Sequence, residues 1–235
     1  MDSKRQQFIR GVRAGIPVLM GFIPVAISYA IIARQAGMNT FQIGLMSLTV
    51  FAGASQMMAA GMLIQGAGLA AIVVATFLLN LRHFIMSTCV FEGMRPSRTA
   101  PRLLAAYWVT DEGFALFTTG TRAEDRTVWF YIGLGLTTYV AWFVGSMLGA
   151  VLTNFLPEVL SASLGVALYA LFAALLLPGL QGNGRLALLA LLTAVCNTLL
   201  CRVMASSWAL VLSTLLCAFL GVFFVDLGEE AVHEQ

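Results

Sequence analysis

Long apolar stretches recur along the chain with few polar interruptions, and none shows the every-second-residue alternation of a half-buried strand. They fall at about 14–35, 41–65, 68–91, 101–120, 127–152, 161–179, 185–202 and 207–225. Each comes near the roughly 20 residues that cross about 30 Å of hydrocarbon. In lipid only helices or closed barrels satisfy their own backbone, and continuous runs of this kind select helices. The last two stretches must be separate, because 186–225 as one helix would be about 60 Å long; Arg202, Ala205, Ser206 and Ser207 supply the turn. The predicted fold is all-α: a polytopic transmembrane helix bundle of 7–8 segments, with broken or re-entrant helices near the N-terminus.

Two stretches carry signs of interruption. The first, AGIPVLMGFIPVAISYA, holds Gly15, Pro17, Gly21 and Pro24 within one span. Proline removes a helical hydrogen bond and clashes with the preceding turn, so a helix break is predicted there, facing protein or a water-filled cavity. The second, TVFAGASQMMAAG, gathers Gly53, Ala54, Ser55 and Gln56 into a small polar notch. Such a notch serves close helix packing or a backbone binding site equally well. Charge leaves two topologies open: eight crossings, or seven with 41–65 re-entrant.

Composition strengthens the membrane reading. The chain is 60% hydrophobic and 10% charged, against about 25% charged residues in soluble domains. Residues 1–13 form a basic segment with Lys4, Arg5, Arg10 and Arg13, which the positive-inside rule places in the cytoplasm. Residues 14–225 read as a single transmembrane transport domain in contact with the lipid bilayer, and 226–235 as an acidic tail. Cys89, Cys196, Cys201 and Cys217 show no metal-ligand spacing and read as small hydrophobes. No cofactor motif, metal cluster or basic nucleic-acid-binding domain is present in the sequence, so no cofactor, metal or nucleic acid is expected.

The informative residues are the charged ones placed deep in spans: Arg82, Asp111 and Glu112. Each costs roughly 2.5–3.5 kcal/mol at a helix centre on insertion scales, so such groups face a bundle interior and find partners. Arg82 and Asp111 both lie near the midpoints of neighbouring antiparallel spans, which makes an ion pair from Arg82 to Asp111 or Glu112 reasonable. The two acids point about 100° apart on a helix, so one can pair while the other faces elsewhere. Thr76, Asn80, His83 and Ser87 share one helical stripe. Opposite it, Tyr107, Thr110, Asp111 and Thr118 were expected along a single helix. Two polar stripes meeting at mid-membrane suggest a cavity or a proton path, although structural glue and a subunit interface are open alternatives. Ser55 as nucleophile with His83 as base would suggest an intramembrane protease, but no GxSG context supports it. Interrupted helices with ionisable groups at the midplane fit a secondary transporter better.

The ordered motifs Phe51-Ala52-Gly53-Ala54-Ser55-Gln56, Asn80-Leu81-Arg82-His83 and Thr110-Asp111-Glu112-Gly113-Phe114-Ala115, with Gly15-Ile16-Pro17 and Gly21-Phe22-Ile23-Pro24 before them, resemble the AzlC family. The resemblance covers about residues 8–120. It implies the large subunit of a branched-chain amino acid exporter in a bacterial inner membrane. The substrates would be valine, leucine, isoleucine and methionine, and the partner a small membrane subunit of the AzlD or YgaH kind. Export of another small metabolite by the same fold is the alternative. On that reading Asp111 or Glu112 would accept the substrate ammonium, and backbone N–H groups at Gly15–Pro17 or Gly53–Gln56 would hold its carboxylate. Arg82 would contact that carboxylate or pair with the remaining acid, Asn80 would bind ligand or cap backbone, and His83 would suit proton coupling.

Overall fold

A computed structural model describes residues 3–94, 97–121, 123–153, 180 and 184–224. Every regular element among them is helical: α1 (Lys4–Gln35), α2 (Thr40–Thr49), α3 (Gly53–Ile64), α4 (Leu69–Gly93), α5 (Thr99–Tyr107), α6 (Asp111–Ala115) continuing into a π-turn (Leu116–Gly120), a short 3-10 turn (Ala123–Asp125), α7 (Val128–Leu152), α8 (Gly184–Leu200) and α9 (Ser206–Phe224). Of these, α1, α4 and α7 are long and apolar enough to cross a membrane. The predicted span at 161–179 lies outside the described residues.

Helix α1 begins earlier than hydropathy suggests, inside the basic segment. Ser3 caps it: its hydroxyl accepts from the Gln6 N–H at 3.3 Å, while the Gln6 side chain accepts from the Ser3 N–H at 2.9 Å. This reciprocal box satisfies two of the free donors at a helix start. Asn39 and Gln42 repeat the device at the start of α2.

The frame of the fold is the pairing of α1 with α7. Glycines let the two backbones touch along their length. A Cβ on Gly145 would lie 2.8 Å from the Ala26 Cβ, and one on Gly149 would lie 2.7 Å from the Ile27 carbonyl oxygen. At the other end Gly11 abuts the Phe130 carbonyl and Gly133 abuts that of Phe8. Small residues drive helix association in lipid because they admit van der Waals contact between backbones where apolar burial gives no advantage. Around this seam sit two apolar clusters. One joins α1 to α2, α3 and α7 through Tyr29, Ile43, Met57 and Trp142. The other joins the end of α4 to α5, α6 and the start of α7 through Val90, Val109, Phe117 and Tyr131.

Three expectations need correction. First, α1 runs unbroken through Pro17 and Pro24. Each proline deletes one backbone bond, but the turns on either side persist, and the Pro24 carbonyl accepts from the Ser28 hydroxyl at 3.0 Å. Gly15 is a packing residue, its Cα side pressed on Thr137 of α7. Second, the break expected within 41–65 is present but falls at Val50–Ala52, so Gly53, Ala54, Ser55 and Gln56 form the first turn of α3 rather than the interruption itself. Third, 101–120 is also interrupted, at Trp108–Thr110, so Tyr107 and Thr110 do not share a helix with Asp111 and Thr118. The turn after Arg202 is where the sequence places it, between α8 and α9.

Candidate functional site

The two interruptions have the same chemical logic. In an unbroken helix the Ala52 N–H would donate to the Leu48 carbonyl. Here Phe51 turns to a φ of 41°, a rarely adopted value for a bulky residue, and the pair separates. The Ala52 N–H instead donates to Gln56 Oε1 at 3.2 Å. The Leu48 carbonyl accepts from the Tyr139 hydroxyl at 2.8 Å and also from the Tyr107 hydroxyl. Phe51 is held by burial and by an edge-on contact with Tyr139, ring centres 5.0 Å apart. The Ser55 hydroxyl donates back to the Ala52 carbonyl at 2.9 Å.

At the second interruption the separated pair is the Gly113 N–H and the Val109 carbonyl. Thr110 caps α6, its hydroxyl accepting from the Gly113 N–H at 3.2 Å. The Val109 carbonyl then takes its donor from His83 Nδ1 at 3.0 Å. A carbonyl can only accept, so Nδ1 carries the proton. His83 Nε2 has no partner among the described residues. The imidazole can therefore gain and lose a proton at Nε2 without giving up its bond to Val109.

Between the interruptions and α1 lies a cavity of about 460 Å³. Its wall is apolar, made by Val18, Phe22 and Val25 of α1 with Phe51 and Trp142. Its polar end holds Arg82, His83, Thr110, Asp111 and Glu112. The expected ion pair is formed: Arg82 Nη2 stands 3.0 Å from Asp111 Oδ2. Glu112 is in no salt bridge among the described residues, and points to the cavity with the Thr110 side chain beside it. Gly53 and Ala54, the first residues of α3, also line the space. Ala52, which precedes them, provides no side-chain cap.

Of the residues singled out from sequence, the cavity brings together Pro17, Gly21, Gly53, Arg82, His83, Asp111 and Glu112. It does not include Gly15, Pro24, Ser55, Gln56 or Asn80. Ser55 and Gln56 are fully buried behind the first interruption, and the Asn80 side-chain carbonyl is buried without a partner among the described residues. Sequence reasoning missed Phe22, Phe51 and Trp142 as lining, and Tyr107 and Tyr139 as donors to a freed carbonyl.

Comparison with known proteins gives a consistent picture. A family model described as AzlC protein matches residues 17–156. An uncharacterized membrane protein of Archaeoglobus fulgidus is 35% identical over 77% of this chain and 80% of its own length. The inner membrane protein YgaZ of Escherichia coli is 28% identical over 74% of each chain. The branched-chain amino acid transport protein AzlC of Bacillus subtilis is 23% identical over 65% of this chain and 62% of its own. No solved structure matches.

Proposed function

The chain belongs to the AzlC family of membrane proteins, and from that premise we propose that it is a subunit of a secondary transporter that exports small hydrophobic amino acids across the inner membrane. The substrates are valine, leucine, isoleucine and methionine, and a small membrane subunit completes the transporter. The name of the Bacillus relative supports the substrate class.

One observation carries the reading: a single cavity offers an apolar wall, a carboxylate in no ion pair among the described residues, and the uncapped start of a helix. A zwitterion with an aliphatic side chain needs these three groups. Glu112 accepts the ammonium. The N–H groups at Gly53 and Ala54 receive the carboxylate, where the α3 dipole favours negative charge. Phe22, Val25 and Trp142 cover the side chain. Asp111 is held by Arg82, which leaves Glu112 as the free acid. His83 takes up and releases the coupling proton at Nε2, beside the substrate ammonium.

The test is efflux from cells loaded with a leucine- or methionine-containing dipeptide, carrying this chain with or without its small partner. Faster release of the free amino acid in the paired strain, and at least a roughly tenfold loss (about 1.4 kcal/mol) with Glu112→Gln at equal membrane level, is the expected result. Export unchanged by Glu112→Gln removes the ammonium acceptor. No release from well-inserted paired protein removes the substrate class.

A further inference from the structure

Behind the cavity wall lies a hydrogen-bonded junction that the transport reading does not use. Gln56 is wholly inaccessible to solvent and does not line the cavity. Its Oε1 accepts two bonds at once, from the Ala52 N–H at 3.2 Å and from Trp142 Nε1 at 3.0 Å. Both partners are donors only, so this orientation of the amide is chemically fixed. Ala52 precedes the α3 amides, and Trp142 is cavity wall. Gln56 thus fastens the apolar wall to the helix start from the protected side.

Trp142 is held tightly in other directions too. Its ring stacks on Tyr29 with centres 5.9 Å apart and meets Phe22 edge-on at 5.8 Å. A Cβ on Gly53 would lie 2.6 Å from the indole edge. On its far side Gln56 faces the hydroxyl of Tyr29, which also has Ser47 beside it. Gln56 Nε2, Tyr29 Oη and Ser47 Oγ are all buried without an aligned hydrogen bond among the described residues.

We propose that Gln56 is a positioning residue for substrate binding: its carbonyl fixes the distance between the Trp142 wall and the first amides of α3, and so sets the register between an amino acid's side chain and its carboxylate. The binding part of this inference rests on the transport reading; the junction itself does not. Loss of the acceptor frees the indole and the Ala52 N–H together. A glutamate at this position keeps an acceptor for both donors. Its second oxygen takes the place of Nε2 beside the Tyr29 hydroxyl, which lacks an aligned partner among the described residues.

The experiment uses full-length protein in which Trp108→Phe, Trp129→Phe and Trp208→Phe leave Trp142 as the single fluorophore. Without ligand, Gln56→Leu shifts the Trp142 emission, while Gln56→Glu leaves it near the parent; an unshifted Gln56→Leu spectrum overturns the junction. With leucine as titrant, the parent shows a saturable change in emission. Gln56→Leu raises the half-saturation at least roughly tenfold (about 1.4 kcal/mol) and Gln56→Glu by no more than about threefold. Equal half-saturation for parent and Gln56→Leu overturns the positioning role, as does a glutamate variant that is folded yet as weak as the leucine one. If the leucine variant fails to insert, Gln56→Met, which preserves volume, takes its place in both arms. No response of the parent to any of the four amino acids counts against the transport reading, and the ligand-free spectra still decide the junction.

Discussion

The two helix interruptions make the same exchange with different chemistry. At Val50–Ala52 the freed carbonyl and amide are satisfied by neutral groups: two tyrosine hydroxyls and a glutamine. At Trp108–Thr110 the carbonyl is satisfied by an imidazole, and an Arg–Asp pair spans the start of the new helix. The first set of partners keeps its charge at any physiological pH. The second contains a group whose ordinary pKa lies in that range. The lesson is a division of labour: one interruption holds a fixed shape, and the other can respond to protonation while keeping its backbone bond.

Removing the charged tie has the largest expected effect. Arg82→Ala leaves Asp111 beside Glu112 with no cation. Because the two side chains are 30% and 25% exposed, the stability cost is discounted to about 1–3 kcal/mol. Export falls below detection in the efflux assay. Exchanging the charges, with Arg82→Asp and Asp111→Arg together, restores membrane level but not export; restored export would make the pair only a structural tie.

The neutral interruption is tested by a double-mutant cycle. Tyr107→Phe or Tyr139→Phe alone leaves the Leu48 carbonyl one donor and costs about 0.5–1 kcal/mol. Both together leave none, so the pair costs about 1 kcal/mol more than the sum, read by thermal unfolding in detergent. Strict additivity would mean the carbonyl finds another donor.

A smaller effect separates the two functions of His83. An asparagine amide reaches about where Nδ1 stands, so His83→Asn keeps the donor to Val109 and stays within about 0.5 kcal/mol of the parent. It cannot titrate, and the pH dependence of export flattens. An unchanged pH profile assigns the proton to another group. Smallest of all, Ser55→Ala deletes one local bond at a cost of about 1 kcal/mol or less and leaves export within about twofold of the parent. Loss of export at normal membrane level would restore Ser55 as a working group.

The legible parts of this molecule were those that depend on local composition or depth. Hydropathy placed α4, α7 and the α8–α9 turn, and matched depth in neighbouring spans brought Arg82 to Asp111 or Glu112. The interruptions are only partly legible, for a physical reason: the small polar notch beginning at Gly53 marks the first, while nothing in 101–120 marks the second. The prolines in α1 advertise a break, yet each removes one bond that flanking turns outweigh. The real interruptions contain no proline, and their partners lie far away in sequence: Tyr107 and Tyr139 are 59 and 91 residues from Leu48, and Val109 is 26 from His83. No local pattern encodes such donors. The α1–α7 seam did leave a trace, since Gly11 and Gly15, and again Gly145 and Gly149, are spaced four apart on one helix face.

That seam also has a consequence for the order of synthesis. Helix α1 is made first, and its main partner begins only at Val128. Until then it waits in the bilayer with its glycines against lipid, while α4 and α6 deliver Arg82, His83, Asp111 and Glu112 beside it. Between α6 and α7 a nascent chain therefore carries these groups before their frame exists. A truncation there would leave the ionisable groups in the membrane without the frame that holds them.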